Sequence, residues 1–130
     1  MSNTREIKFR CFDNISPKMY TGHSLTIAAN GDILFLDDTG NWVEPDEGRI
    51  AVMQFTGLKD KNGKEIYEGD VVESNCTNFV RYDKAKVIFS NGAYQLELPN
   101  RTWVQNWNSD DIWVIGNIYE NPELLKSIPS

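Results

Sequence analysis

From Glu6 to Phe12, apolar and polar residues take turns, with Ile7, Phe9 and Cys11 set against Glu6, Lys8 and Arg10. A period of two predicts a half-buried strand, and Phe12 breaks the pattern at its end. The segment "ISPKMYTGHS" (15–24) carries Pro17 and Gly22 and reads as a loop. "LTIAANGDILFL" (25–36) reads as a hairpin turning at Asn30-Gly31, because Asn-Gly tolerates the positive φ angles of a type I′ turn. "DDTGNWVEPDEG" (37–48) is polar, rich in turn residues and acidic, an exposed connection anchored by Trp42. "RIAVMQFTG" (49–57) returns to strand character.

"DKNGKE" (60–65) holds a second tight turn at Asn62-Gly63, and Gly69-Asp70 makes a further turn into Val71-Val72. The charges Lys59, Asp60, Lys61, Lys64 and Glu65 crowd the hairpin tip, where they are expected to stay hydrated. "KAKVIFSNGAYQLEL" (84–98) is the clearest hairpin. Val87 and Phe89 alternate with Lys86 and Ile88, Asn91-Gly92 turns, and Tyr94, Leu96 and Leu98 alternate with Gln95 and Glu97. "IWVIGNIY" (112–119) is a last, largely apolar strand. Asn121 is placed to cap a short helix over "PELLKSI", with Pro122 first and Glu123 in its first turn, where the helix dipole favours an acid. Gly31, Gly57, Gly63, Gly69 and Gly92 are assigned to backbone geometry at turns.

Composition changes this picture modestly. With 40% hydrophobic and 12% aromatic residues, 130 residues can bury a core without metals or disulfides. No run of residues nears the ~20 apolar positions that a membrane helix needs, and the charged N-terminus lacks a signal peptide's apolar stretch. A soluble, cytoplasmic protein is expected, with Cys11 and Cys76 reduced and buried as small hydrophobes. Charge is uneven: residues 32–49 carry six acids and one base, within a chain of net charge −6. That balance opposes general binding to duplex nucleic acid, which depends on neutralising phosphates.

Chemistry by motif is sparse. Asp37-Asp38, Asp110-Asp111 and Glu65 with Glu68 are paired acids, but neighbours on a strand face opposite ways, so solvated surface is the favoured reading. His23 is the one histidine; Cys11, His23 and Cys76 could converge with an acid as fourth ligand, but a lone histidine in a loop between Gly22 and Ser24 is far more often simply exposed. The acids of "DDTGNWVEPDE" do not follow a calcium loop. No nucleophile elbow or phosphate-binding glycine loop occurs. No catalytic residue, cofactor or metal site is assigned. The aromatics carry more: Trp103, Trp107, Trp113 and Tyr94 lie near Arg101. Trp103 and Trp113 are expected to pack the core, and Trp107 to be exposed. Trp42 and Trp107, with Asp37, Asp38 and Glu44, are the candidate protein-interaction residues.

Two blocks, "MQFTGLKDKNGKEIYEGDVV" (53–72) and "VIGNIYENPELL" (114–125), resemble the YopX family of phage and prophage proteins. "IKFRCFD" (7–13) resembles the family's opening strand, where a tryptophan or similar bulky residue often stands near the position of Phe12. The resemblance covers essentially the whole chain. It implies a phage- or prophage-encoded cytoplasmic protein of β-rich architecture that assembles with itself, and it carries over no catalytic residue. Taken together, the expectation is a single domain over residues 1–130, mainly antiparallel β. Its core would be a partly open SH3-like barrel with extra hairpins and a short C-terminal helix. The expected function is non-enzymatic binding of a host protein or of itself, with no small-molecule ligand. The alternative is a nucleic-acid-related module, either stacking single strands on the tryptophans or imitating DNA with its acidic face.

Overall fold

The alternating segments pair as antiparallel strands in a computed structural model that describes residues 6–46, 48–74, 84–98, 103–104 and 107–126. Cys76 and Arg101 lie outside the described residues, as do the side chains of His23 and Trp103. The chain divides into an N-terminal unit, Glu6–Gln54, and a C-terminal unit that runs on from Phe55.

The N-terminal unit contains β1 (Phe9–Asp13), β2 (Lys18–Thr21), β3 (Leu25–Ile27), β4 (Ile33–Leu36), β5 (Trp42–Val43) and the first half of β6 (Ile50–Lys59). Strand β1 pairs with β2, Cys11 opposite Tyr20, and with β6, Cys11 opposite Val52. A second sheet runs β3-β4-β5. Cys11, Tyr20 and Phe35 form the buried centre, with Leu25, Val43, Ile50 and Val52 packed around it. The Tyr20 and Phe35 rings meet at 5.1 Å between centroids.

Three expectations change here. Part of the supposed loop over 15–24 is strand β2, because Pro17 stands just before the ladder and costs it no hydrogen bond. Ile7, placed inward by alternation, is 59% exposed, since it precedes the first ladder pair, Phe9 with Gln54. The connection over 37–48 also holds a short strand, β5.

The C-terminal unit holds the rest of β6, then β7 (Glu65–Tyr67), β8 (Asp70–Ser74), β9 (Ala85–Ser90), β10 (Ala93–Glu97), β11 (Trp103–Val104), β12 (Ile112–Asn117) and one helical turn, α1 (Glu123–Lys126). Strand order in its larger sheet is β11-β10-β9-β8-β12. Ile66, Val72, Ala85, Val87, Leu96, Leu98 and Ile112 make its core. The β9–β10 hairpin departs from strict alternation: Phe89 is 54% exposed while Gln95 is buried. Phe89 continues the face of Ala85 and Val87 past the end of the core, and stacks edge-on with Tyr94 at 5.1 Å. Gln95 Nε2 donates to the Ser90 carbonyl at 2.9 Å, which lets a polar residue sit inside.

Of the three Asn-Gly pairs, Asn91 and Gly92 alone have positive φ at both positions, 53° and 79°, as a type I′ turn requires. At Asn30-Gly31 and Asn62-Gly63 the positive angle is confined to the glycine. Those glycines close longer loops, Gly31 N–H donating to Ala28 and Gly63 N–H to Asp60. Near the C-terminus, a Cβ on Gly116 would lie 2.6 Å from Asn121 Oδ1 and 2.7 Å from Leu124 Cδ1, so a hydrogen atom is what fits. The Asn121 amide oxygen accepts from the Asn117 N–H at 3.2 Å, and the Leu124 N–H donates to the Asn121 main-chain carbonyl.

Candidate functional site

The β3-β4-β5 sheet positions the acidic candidates. Its register sets Leu25 and Val43 beside Phe35 on the inner face. Side chains alternate along a strand, so Leu34 and Leu36 point the other way, and Trp42, opposite Leu36, shares their face. Trp42 is 49% exposed and Leu34 is exposed as well.

The β4–β5 turn is made by Asp37. Its Oδ1 accepts from the Thr39 hydroxyl at 2.6 Å and from the Thr39 and Asn41 N–H groups at 2.9 Å each. Those bonds, the Thr39 hydroxyl foremost, hold its carboxyl below the usual aspartate range. Asp38 points into solvent and pairs with Lys18 Nζ at 2.7 Å. The two adjacent acids thus serve separate tasks. Glu44 is exposed, two residues beyond Trp42.

Trp107 behaves differently from its expected exposure. It is half-buried against the C-terminal core, and its indole N–H donates to the Tyr94 carbonyl at 3.0 Å. A ring with its polar edge satisfied by the neighbouring strand serves packing. Trp113 is half-buried, with the Lys61 ammonium 4.7 Å from its ring centroid. Of the candidate pair, Trp42 remains the outward anchor.

Among the buried acids, Asp13 has no role assigned from sequence and Asp60 is expected in water. Asp13 is fully buried, its carboxylate bound by Arg49 through Nε at 3.1 Å and Nη2 at 2.9 Å, and by the Ile15 and Ser16 N–H groups. The Arg49 hydrogen bonds hold it below the usual range against the opposing effect of burial. Asp60, expected at a hydrated tip, is 5% exposed. Its Oδ1 accepts from the Asn62 N–H at 2.8 Å and the Lys64 N–H at 2.9 Å, and its Oδ2 from the Val114 N–H at 2.8 Å. Burial would push that carboxyl up, but the three N–H donors and the Lys64 charge outweigh it and hold it down. The turn at Asp60, though not its burial, was signalled in the chain: "DDTGN" and "DKNGK" share an Asp-x-x-Gly pattern that builds the same turn. Among the described residues, no three His, Cys, Asp or Glu side chains gather as a metal site would require. Among them, too, no helix is long and apolar enough to cross a membrane.

Comparison with known proteins gives a consistent picture. The family model described as YopX protein matches residues 8–126. The SPbeta prophage-derived uncharacterized protein YopX of Bacillus subtilis (strain 168) is 31% identical over 120 residues, spanning 82% of this chain and 85% of that one. The crystal structure of protein EF1440 from Enterococcus faecalis is similar with a TM-score of 0.69 at 26% identity. It covers 94% of this chain and 99% of its own. That of protein yopX from Bacillus subtilis gives 0.57 at 28% identity, over 90% of this chain and 96% of its own.

Proposed function

The chain belongs to the YopX family, and on that premise we propose that it is a phage- or prophage-encoded accessory protein that acts by binding protein, without catalysis. The observation that carries this reading is the outward face of the β3-β4-β5 sheet, where Trp42 and Leu34 stand in water. Large amphipathic rings at small entropy cost are the usual anchors of protein interfaces. The alternative use of carboxylates in catalysis loses ground because Asp13, Asp37 and Asp60 are each occupied with backbone N–H groups of their own fold. The prophage origin of the Bacillus subtilis relative supports a role inside an infected or lysogenic bacterial cytoplasm.

We also read the larger sheet of the C-terminal unit as SH3-like. Strands β8 to β11 form a meander, and the last strand, β12, enters from the 3-10 turn Ser109–Asp111 to pair with the first. That order supports the label, while function has to be argued from the exposed face.

The test is gentle affinity purification of tagged protein from a bacterial lysate, with mass spectrometry and an ultraviolet ratio for nucleic acid. A stoichiometric protein, or a discrete homo-oligomer by sedimentation, is the expected result. A preparation carrying nucleic acid and no protein would overturn the reading in favour of base stacking.

A further inference from the structure

Asn-Gly occurs three times in the chain, at 30–31, 62–63 and 91–92, and all of these residues are exposed. In this dipeptide an asparagine can condense with its own backbone, because glycine leaves the following nitrogen unhindered. The glycine nitrogen attacks the asparagine Cγ. An N–Cγ bond forms, the Cγ–Nδ2 bond breaks, and ammonia leaves with the glycine's amide proton. Water then opens the five-membered imide at either carbonyl. One opening gives aspartate; the other gives isoaspartate, with an extra methylene in the main chain. Water is the sole co-reactant.

Ring closure needs the glycine nitrogen turned to the side of the asparagine Cβ, at a ψ of about −120°, the value that a type II′ turn gives its first central residue. The turn at Asn91-Gly92 has φ of 53° and 79°, which makes it type I′. There the same ψ is about +30°. The two turn types differ by a flip of the single peptide unit between the central residues. Such a flip leaves the outer pair, Ser90 with Ala93, in register. Among the described residues, the Gly92 N–H has no acceptor to lose when its peptide turns over.

The equivalent peptide unit is held at the other two pairs. The Gly31 N–H donates to the Ala28 carbonyl and the Gly63 N–H to the Asp60 carbonyl, at 2.9 Å each, and a flip breaks either bond. Asn30 is tied by its side chain as well. Its Oδ1 accepts from the Asp32 N–H at 3.0 Å, and its Nδ2 donates to Asp32 Oδ2 at 3.1 Å. Asn62 is tied by its own N–H, which donates to the buried Asp60 carboxylate, as does the Lys64 N–H beyond it.

We propose that Asn91 is the site at which the folded protein deamidates and isomerises, and that their turns protect Asn30 and Asn62. The product alters a sensitive place. Residues 87–96 carry no charge, and either product puts a carboxylate at their centre. Isoaspartate also lengthens a two-residue turn that sets Phe89 opposite Tyr94.

The experiment incubates the full chain in mildly alkaline buffer, native and in guanidinium chloride. Peptide mapping after digestion at acid pH follows the amide-to-acid mass gain at each asparagine. Methylation by an isoaspartyl methyltransferase reads the isomerised fraction. Native Asn91 should convert about fivefold or more faster than Asn30 or Asn62, since each main-chain hydrogen bond to be broken is worth a factor of up to about ten. In guanidinium the three rates should draw together. Asn91→Gly keeps a turn suited to positive φ, and should remove most of the methylatable isoaspartate from the native protein.

Faster or equal conversion at Asn30 or Asn62 in the native protein would overturn the assignment. So would an Asn91 lead that persists undiminished in guanidinium, because flanking sequence rather than the turn would then set the rate. A native Asn91 that stays intact while the unfolded chain converts would overturn it too, by showing that the peptide does not flip.

Discussion

The turns at Asp37 and Asp60 are built alike and end up in different surroundings. In each, the aspartate N–H donates to the carbonyl four residues on, at 2.9 and 2.8 Å, and the glycine N–H returns to the aspartate carbonyl, at 3.1 and 2.9 Å. In each, Oδ1 accepts from the N–H groups two and four residues ahead. Gly40 and Gly63 have φ of 88° and 84°. Beyond that the likeness ends. Asp37 spends its further capacity on the Thr39 hydroxyl within the turn, whereas Asp60 reaches the Val114 N–H, 54 residues away. The Lys61 N–H adds a bond to the Ile112 carbonyl at 3.0 Å. One local motif is thus a self-contained loop in one place and the fastening of strand β12 in the other.

The comparison breaks most readily at Asp60. Asp60→Ala should lower unfolding stability by about 3 kcal/mol, because it strands buried N–H groups that a charged acceptor now satisfies. Denaturant unfolding followed by tryptophan fluorescence would measure it; a loss no larger than that of Asp37→Ala would abolish the distinction. Gly116→Ala, on the strand that Asp60 fastens, should cost about 2 kcal/mol through overpacking against Asn121 and Leu124. Partial rescue by Leu124→Ala in a double-mutant cycle would locate the clash.

Gly40→Ala and Gly63→Ala should each cost about 1 kcal/mol, and by equal amounts, since both carry positive φ with open space at the Cβ position. Unequal melts would mean that the two turns differ in more than the reach of their aspartates. Asp37→Ala should have the smallest effect of the series, read as a slight fall in melting temperature.

Acid titration sharpens the contrast. The folded Asp60 carboxyl titrates below its ordinary value of 3.8, so its contribution is fully present above that value and is lost as pH falls through the lower folded value. Asp60→Asn should flatten the stability curve in that acid window and leave the slope near neutrality unchanged.

How much of this was legible follows from where each constraint resides. The Asn91-Gly92 hairpin was readable because turn and alternation agree over adjacent residues. Strand β2 was hidden because Pro17 and Gly22 speak loudly as loop residues, while Met19 and Tyr20 owe their strand to pairing with β1. Phe89 and Gln95 were inverted because alternation gives the face but not where the core beneath it ends. Asp60 was misread as solvated because nothing local announces an N–H 54 residues away. At the candidate site, Trp42 and the acids could be named from composition, whereas the face shared by Leu34, Leu36 and Trp42 required the register. Trp107 was lost for the same reason, its partner being the Tyr94 carbonyl on strand β10, 13 residues back in the chain.

Cys11 has a use in the laboratory. Buried at the centre of the N-terminal unit, its thiol is pushed up to about 11 by burial, with the Asp13 charge adding to the effect. Only on the order of one molecule in ten thousand would carry the reactive thiolate at neutral pH, and that one is shielded from reagent. Alkylation at this position, read by peptide mapping, therefore acts as a clock on the opening of its unit. Each modified molecule records that the core around Cys11 came apart, and a ligand seated on that unit would make the clock run slow.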